Sequence, residues 1–271
     1  MKLGYIDFIN CYPFYYHMFE KQKLEGITIV SGYPGALNQM ISDNDLDMSP
    51  ISSATCADIH EDIVVLPQFC LSSIGYVGSV TLASNIPIEE LDKKNIGVTN
   101  ASHTSAVLLK ILLKKYYNAQ PIYHTTGPRP KLNEFHAALL IGNDAMLKHS
   151  IPPTYTYDLG DLWLRKTGYP VVFAVFVVKK SIIDKYYSKI QLIMASYKKS
   201  LECLQNKKDI IIAKASQKYP DVIYDIHKYY DVLKFEFTDD LKTALKFYFS
   251  EGANLNLIKE TRNLTFFDTE D

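Results

Sequence analysis

The sequence predicts an α/β protein built as two lobes, and three observations carry that prediction. Short apolar runs alternate with helical periodicities from the first residues onward, and a second series of the same kind follows. Two long, nearly continuous extended stretches, Ser73 to Ser84 and Val171 to Lys180, bracket the second series. Alternation of this kind argues for mainly parallel sheets with both faces covered. Long strands on either side of one α/β unit read as two crossings between lobes. The first lobe is then discontinuous, residues 1–83 with 173–271, and the second spans 84–172.

In chain order, Lys2 to Phe8, Ile27 to Ser31, Leu46 to Ile51 and Ile63 to Phe69 are strand-length apolar runs, with helical patterns between them at Tyr12 to Glu20, Ala36 to Ser42 and Ser53 to Ile59. The second series has strands at Asn95 to Thr99, Pro121 to His124 and Ala137 to Gly142, and a helix at Thr104 to Tyr117. On that helix Val107, Leu108, Ile111 and Leu112 recur at helical spacing and form a core face. From Ser181 onward the pattern is helical. Ser181 and Asp184 stand at capping-box spacing, with Asp as a shorter stand-in for the usual Glu. The periodic Ile183, Tyr187, Ile190, Met194 and Tyr197 mark a long helix. A last helix starts at Thr238, with Asp239 and Asp240 favourably placed against its dipole, and stops at Gly252.

With 271 residues, 47% apolar and 22% charged, the chain can bury one large core or two modest ones, which excludes a disordered protein. Its formal net charge is -1, with Lys and Arg spread along the chain. That distribution leaves no footprint for nucleic acid or an acidic membrane surface. Cys11, Cys56, Cys70 and Cys203 show neither C-x-x-C spacing nor a histidine at metal-ligand spacing, so they read as free buried thiols in a reducing cytosol. The N-terminal run reads as a strand, because Asp7 and Asn10 interrupt the apolar stretch a signal peptide needs, and no segment approaches the length of a membrane span. The expected location is the cytoplasm.

No Walker loop, G-x-G-x-x-G, H-E-x-x-H or G-x-S-x-G occurs, which removes support for nucleotide cofactors, zinc-protease chemistry and hydrolase elbows. What stands out is polar segments at strand-to-helix junctions: Ser52 and Ser53 in the first series, Ser102, Thr104 and Ser105 in the second, then Gly142, Asn143 and Asp144. Helix N-termini offer unpaired N–H groups and partial positive charge, and ligands of open α/β sheets sit at the carboxyl ends of strands. Two such junctions facing each other, with the N–H groups around Ser53 and Ser105 turned inward, would hold a small dianion; singly, each is equally an ordinary N-cap. Asn10 follows the first strand before Pro13, either as a turn residue or pointing into the cleft. Ser79 lies in the first crossing, where Gly75 and Gly78 permit close backbone approach. Histidines 17, 60, 124, 136, 149 and 227 are scattered without partners, and His103 neighbours a junction with nothing marking it as a base. Asp47, Asp144 and Asp158 show no acid–base pairing.

Taken together, several segments resemble the chorismate dehydratases of the futalosine route to menaquinone. These are Gly4-Tyr-Ile-Asp-Phe-Ile-Asn10 with Pro13, Gly32-Tyr-Pro-Gly-Ala-Leu-Asn38, Leu46-Asp-Met-Ser-Pro-Ile-Ser52-Ser53 and Gly75-x-Val-x-Ser79-Val-x-Leu82. Ser102-x-Thr-Ser105, Ala138-Leu-Leu-Ile-Gly142-Asn-Asp-Ala145, Tyr157-Asp-Leu-Gly160, Trp163 and Thr167-Gly168 follow in order. The resemblance implies a type II periplasmic-binding-protein-like fold with two interlobe crossings. It also implies removal of water from chorismate without metal or organic cofactor, with Asn10 and Ser79 as active-site residues. Ser52, Ser53, Ser102, Thr104, Ser105, Gly142 and Asn143 are then the substrate-binding candidates. Gly78 stands where that family carries a larger, often basic residue, and Asn143 where it often carries Asp. The sister family making 1,4-dihydroxy-6-naphthoate carries a catalytic histidine after the strand equivalent to Ala137 to Ile141, where Gly142 stands here. A solute-binding protein for a small anion shares the fold and needs export.

Overall fold

The computed structural model describes residues 1–147 and 152–268, so His149 and the last three residues of the expected first lobe lie outside the described residues. The first series forms strand β1 (Lys2–Ile6), helix α1 (Tyr12–Glu20), β2 (Thr28–Gly32), α2 (Pro34–Ser42), β3 (Met48–Ser52), α3 (Ser53–Ile59) and β4 (Ile63–Ser73). The second contains β5 (Val80–Ser84), β6 (Asn95–Thr99), α4 (His103–Ile111), β7 (Ile122–Thr126), β8 (Ala137–Ile141), β9 (Tyr155–Asp158) and α5 (Leu159–Thr167). The chain continues through β10 (Val171–Lys179), α6 (Ile183–Asn206), α7 (Lys208–Lys218), α8 (Ile226–Val232), β11 (Leu233–Glu236) and α9 (Asp239–Asn254).

Two sheets result, ordered β11-β4-β10-β3-β1-β2 and β7-β6-β8-β5-β9. In the first, β1 is parallel to β2 and β3, whereas β10 inserts antiparallel between β3 and β4. In the second, β6 is parallel to β7 and β8, and β5 runs antiparallel to β8 and β9. Strands returning from one lobe to the other must run against the strands they join, which accounts for the antiparallel β5 and β10.

The expected single strand from Ser73 to Ser84 is interrupted. β4 ends at Ser73, Gly75 and Gly78 take φ values of +80° and +75°, and β5 begins at Val80. Positive φ at both glycines lets the chain turn without a Cβ clash and ends the ladder. Val80 already pairs with Ile141 of the second sheet. The second crossing follows α5, which Gly168 ends in the left-handed conformation (φ +77°) with its N–H on the Leu164 carbonyl at 2.8 Å.

One contiguous apolar core runs through both sheets. Its densest part is aromatic: the Phe14 ring lies 4.4 Å from Phe176, 5.6 Å from Tyr197 and 6.0 Å from Phe69, centroid to centroid. Each such ring removed from water contributes about 1.5–3 kcal/mol, and edge-to-face pairing adds to that. Two helix expectations shift. The second-lobe helix is α-helical only to Ile111 and continues as a wider π turn over Leu112–Tyr116. Ser181 lies in a 3-10 turn and caps nothing, so α6 starts at Ile183 without a side-chain cap. Thr238 does cap α9, accepting from the Leu241 N–H, and that helix runs two residues past Gly252, to Asn254.

α9 binds both halves of the molecule. It packs on β10 and α3, and also on α4 of the second sheet. The Tyr248 hydroxyl donates to the Thr104 carbonyl at 3.1 Å, Lys115 of the π turn pairs with the buried Glu251, and Trp163 of α5 packs against Phe247 and Tyr248.

Candidate active site

The loop after β1 is fastened from three directions. Its Cys11 N–H donates to the Phe8 carbonyl at 3.0 Å, the Ile9 N–H to Asn143 Oδ1 at 2.9 Å, and Tyr230 donates its hydroxyl to the Ile9 carbonyl at 2.9 Å. Asn143 comes from the turn after β8, so the loop is held by both lobes. Asn10, at the tip of this loop, lines a cavity of about 50 Å³ between the two sheets. Ser52, Ser79, Ser102, Ser105 and Gly142 share the lining, with Phe8, Val77 and Phe173 among its apolar walls. None of the described residues lining the cavity is ionisable.

Ser79 owes its position to a buried carboxylate. Asp158, at the end of β9, accepts from the Val77 N–H at 3.1 Å and the Gly78 N–H at 2.6 Å, and caps α5 by accepting from Asp161 N–H at 3.0 Å. Burial raises the Asp158 pKa and these N–H donors oppose the rise, so the carboxylate organises the crossing. The Ser79 carbonyl in turn accepts from the Gly142 N–H at 2.7 Å, and Gly142 has φ +56°. Ser79 therefore lies just before β5, at the point where the two sheets meet.

The Ser79 hydroxyl accepts from Tyr229 of α8 at 2.7 Å. The Asn10 side-chain amide adjoins the same phenol, and Asn10 Oδ1 is buried with no hydrogen-bond partner among the described residues. Tyr229 is fully buried, and burial pushes its phenol well above the usual tyrosine range. It stays protonated at neutral pH and acts as a donor.

The two junction segments do approach each other, as α3 and α4 are in contact, but not all their hydroxyls reach the cavity. Ser52 is gripped by Asn38, whose Oδ1 accepts from its N–H and whose Nδ2 donates to its Oγ, both at 3.0 Å. Ser53 turns away and donates to the Val172 carbonyl at 2.7 Å. Thr104 donates to the Phe173 carbonyl at 2.9 Å and accepts from the Ala54 N–H at 3.2 Å, tying the start of α3 to that of α4. The Ser105 N–H goes to Ser102 Oγ at 3.3 Å. Of the N–H groups around Ser53 and Ser105, those of Ala54 and Ser105 are taken up by Thr104 and Ser102. The structure brings Asn10, Ser52, Ser79, Ser102, Ser105 and Gly142 to the cavity and leaves Ser53, Thr104 and Asn143 outside its lining.

His103 faces a separate cleft of about 370 Å³, where Thr55 lies 3.2 Å and Asp58 3.8 Å from its Nδ1. Burial lowers its pKa, against the pull of Asp58. Ser102 is common to both cavities. Among the described residues no three His, Cys, Asp or Glu side chains gather as a metal site. Neither Tyr229 nor Tyr230 is legible in the sequence as a site residue. The one signal available was the tyrosine density of Tyr224-Asp-Ile-His-Lys-Tyr229-Tyr230, in a segment without motifs.

A family profile described as menaquinone biosynthesis matches residues 1–254. The chorismate dehydratase of Thermus thermophilus is 28% identical over 195 residues, covering 66% of this chain and 69% of that protein. Among solved structures, protein AF1704 from Archaeoglobus fulgidus superposes with a TM-score of 0.76 at 16% identity, over 95% of this chain and 98% of that one. The periplasmic aliphatic sulphonate binding protein SsuA from Escherichia coli gives 0.66 at 13% identity, over 100% and 94%. The fold is that of the two-lobed periplasmic binding proteins. No helix among the described residues is long and apolar enough to cross a membrane.

Proposed function

This chain belongs to the menaquinone biosynthesis family, and from that premise we propose that it is a chorismate dehydratase, a hydro-lyase converting chorismate to 3-[(1-carboxyvinyl)oxy]benzoate in the cytoplasm as the first step of futalosine-dependent menaquinone synthesis. The observation that carries this is a small interlobe cavity whose polar lining consists of hydroxyls and one amide, with no ionisable side chain among its described residues. Relatedness to a chorismate dehydratase supports it. We take the lobes to divide as residues 1–83 with 173–271, and 84–172.

Chorismate suits such a site because its ring becomes aromatic on losing water, so much of the driving force lies in the substrate. The ring C3–H bond breaks and its electron pair enters the conjugated ring, where the ring carboxylate spreads the charge. The C4–O bond then breaks with its pair on oxygen, and the hydroxyl leaves with the abstracted proton as water. Hydroxyl donors at Ser52 and at one of the hydrogen-bonded pair Ser102 and Ser105, turned to the ring carboxylate, lower the barrier where that charge develops. The substrate's enolpyruvyl carboxylate takes the ring proton, in keeping with a lining that offers no protein base. Asn10 and Ser79 hold the departing hydroxyl.

Incubating the purified chain with chorismate and following the product by mass spectrometry tests this. Loss of one water with retention of the carboxyvinyl group is expected. Unchanged chorismate, or release of pyruvate, would refute the assignment.

A further inference from the structure

Tyr229 is hydrogen-bonded to Ser79 and has the Asn10 side chain beside its phenol, and proton count sets which way the three groups can pair. Tyr229 has one proton, given to Ser79 Oγ at 2.7 Å. A serine hydroxyl that accepts from a phenol keeps its own proton for another acceptor. The phenol oxygen, its proton committed, can only accept from the neighbouring Asn10 amide. That turns the Asn10 NH₂ toward Tyr229 and leaves Asn10 Oδ1, which is buried without a donor among the described residues. A buried carbonyl left unpaired costs stability, so its counterpart is expected from a ligand.

We infer that Tyr229 is a positioning residue that fixes this pairing in one direction, so that Ser79 presents a donor and Asn10 an acceptor to a single ligand hydroxyl. Such a pair selects a ring carrying a hydroxyl over its deoxy analogue. In the proposed reaction that hydroxyl is the leaving group: it donates to Asn10 Oδ1 and accepts from Ser79, and the second bond strengthens as the C–O bond breaks with its electron pair on oxygen. Ser79 and Tyr229 both keep their protons, since the proton that completes water comes from the ring carbon. The phenol hydroxyl of Tyr229 thus acts through Ser79 and does not touch the substrate.

The test compares wild type, Y229F, S79A and the double variant in two independent measurements. The kinetic arm rests on the dehydratase assignment, and Y229F is expected to lower kcat about tenfold with KM nearly unchanged. The double variant should then be no slower than S79A alone, because removing Ser79 already breaks that pairing. The binding arm needs no turnover. It compares 3-carboxymethoxy-4-hydroxybenzoate with 3-carboxymethoxybenzoate by calorimetry. Wild type is expected to favour the hydroxylated probe by about tenfold, and Y229F and S79A should each erase most of that preference without adding. Multiplicative losses in the double variant, or a preference intact in Y229F, would overturn the inference; if Y229F does not fold, Y229L serves the same comparison. A wild type that distinguishes the probes yet leaves chorismate intact refutes the dehydratase assignment alone, and one that dehydrates chorismate without distinguishing them refutes this inference alone.

Discussion

Asn10 differs from the other polar residues of the cavity in what its hydrogen bonds leave free. Ser52 is held by Asn38, and Ser102 by the Ser105 N–H, whereas Asn10 Oδ1 has no partner among the described residues. If Asn10 and Ser79 act mainly in the transition state, Asn10→Ala and Ser79→Ala each lower kcat by about 10² with little change in KM; steady-state kinetics on chorismate measures this. His103 lies in the neighbouring cleft, so His103→Gln keeps kcat near that of wild type. That substitution instead alters stability against pH. Burial holds the folded-state pKa of His103 below its ordinary 6.5, and burial followed by Lys199 does the same for His17. The unfolded chain then binds more protons than the folded one as pH falls through about 6.5, and stability declines with it. Urea midpoints between about pH 7.5 and 5.5 should fall less for His103→Gln than for wild type; equal slopes would remove His103 from this linkage.

Where the elements meet, small residues decide how closely the lobes approach. α2 opens with Pro34 and Gly35, and the Gly35 N–H donates to the Ala101 carbonyl at 2.8 Å across the cleft. A Cβ at Gly35 would collide with the Asn100 carbonyl, part of the backbone and unable to give way cheaply. Gly35→Ala should therefore hold the lobes apart and weaken substrate binding by about tenfold, roughly the loss of one interlobe hydrogen bond, while the melting temperature changes little. Titration of chorismate or its product by calorimetry decides it. A collapse in stability instead would mean that this contact serves folding rather than closure. The strand-to-helix junctions were legible as polar segments because Ser and Thr at those places are read by position alone. Which of them faces the cavity was not, since Ser53 and Thr104 were indistinguishable from Ser52 and Ser105 until Val172 and Phe173 of β10 were placed beside them.

At the scale of the whole molecule, α9 is one of the elements that join the two sheets. Trp163, the one tryptophan of the chain, is fully buried in α5 with its ring 5.8 Å from Phe247 and 6.1 Å from Tyr248 of α9. Its fluorescence thus reports contact between the second series of elements and the C-terminal helix. With a single contiguous core, denaturation followed by Trp163 fluorescence and by far-ultraviolet dichroism should coincide in one transition; a fluorescence change preceding the loss of helix would show α9 detaching first. Most of the alternation of strand and helix and the polar junctions were determined by the sequence alone, because periodicity and turn residues act over a few positions. The resemblance singled out Asn10 and Ser79, since short ordered motifs carry them. Only the tertiary structure decided what joins them. Tyr229 lies 150 residues from Ser79 in the chain, in a helix without a motif, and no local pattern encodes which of 20 tyrosines spends its proton on that serine. Pairing of that kind is settled by packing, when α8 settles against α7 and β11 and each buried hydroxyl must find a partner.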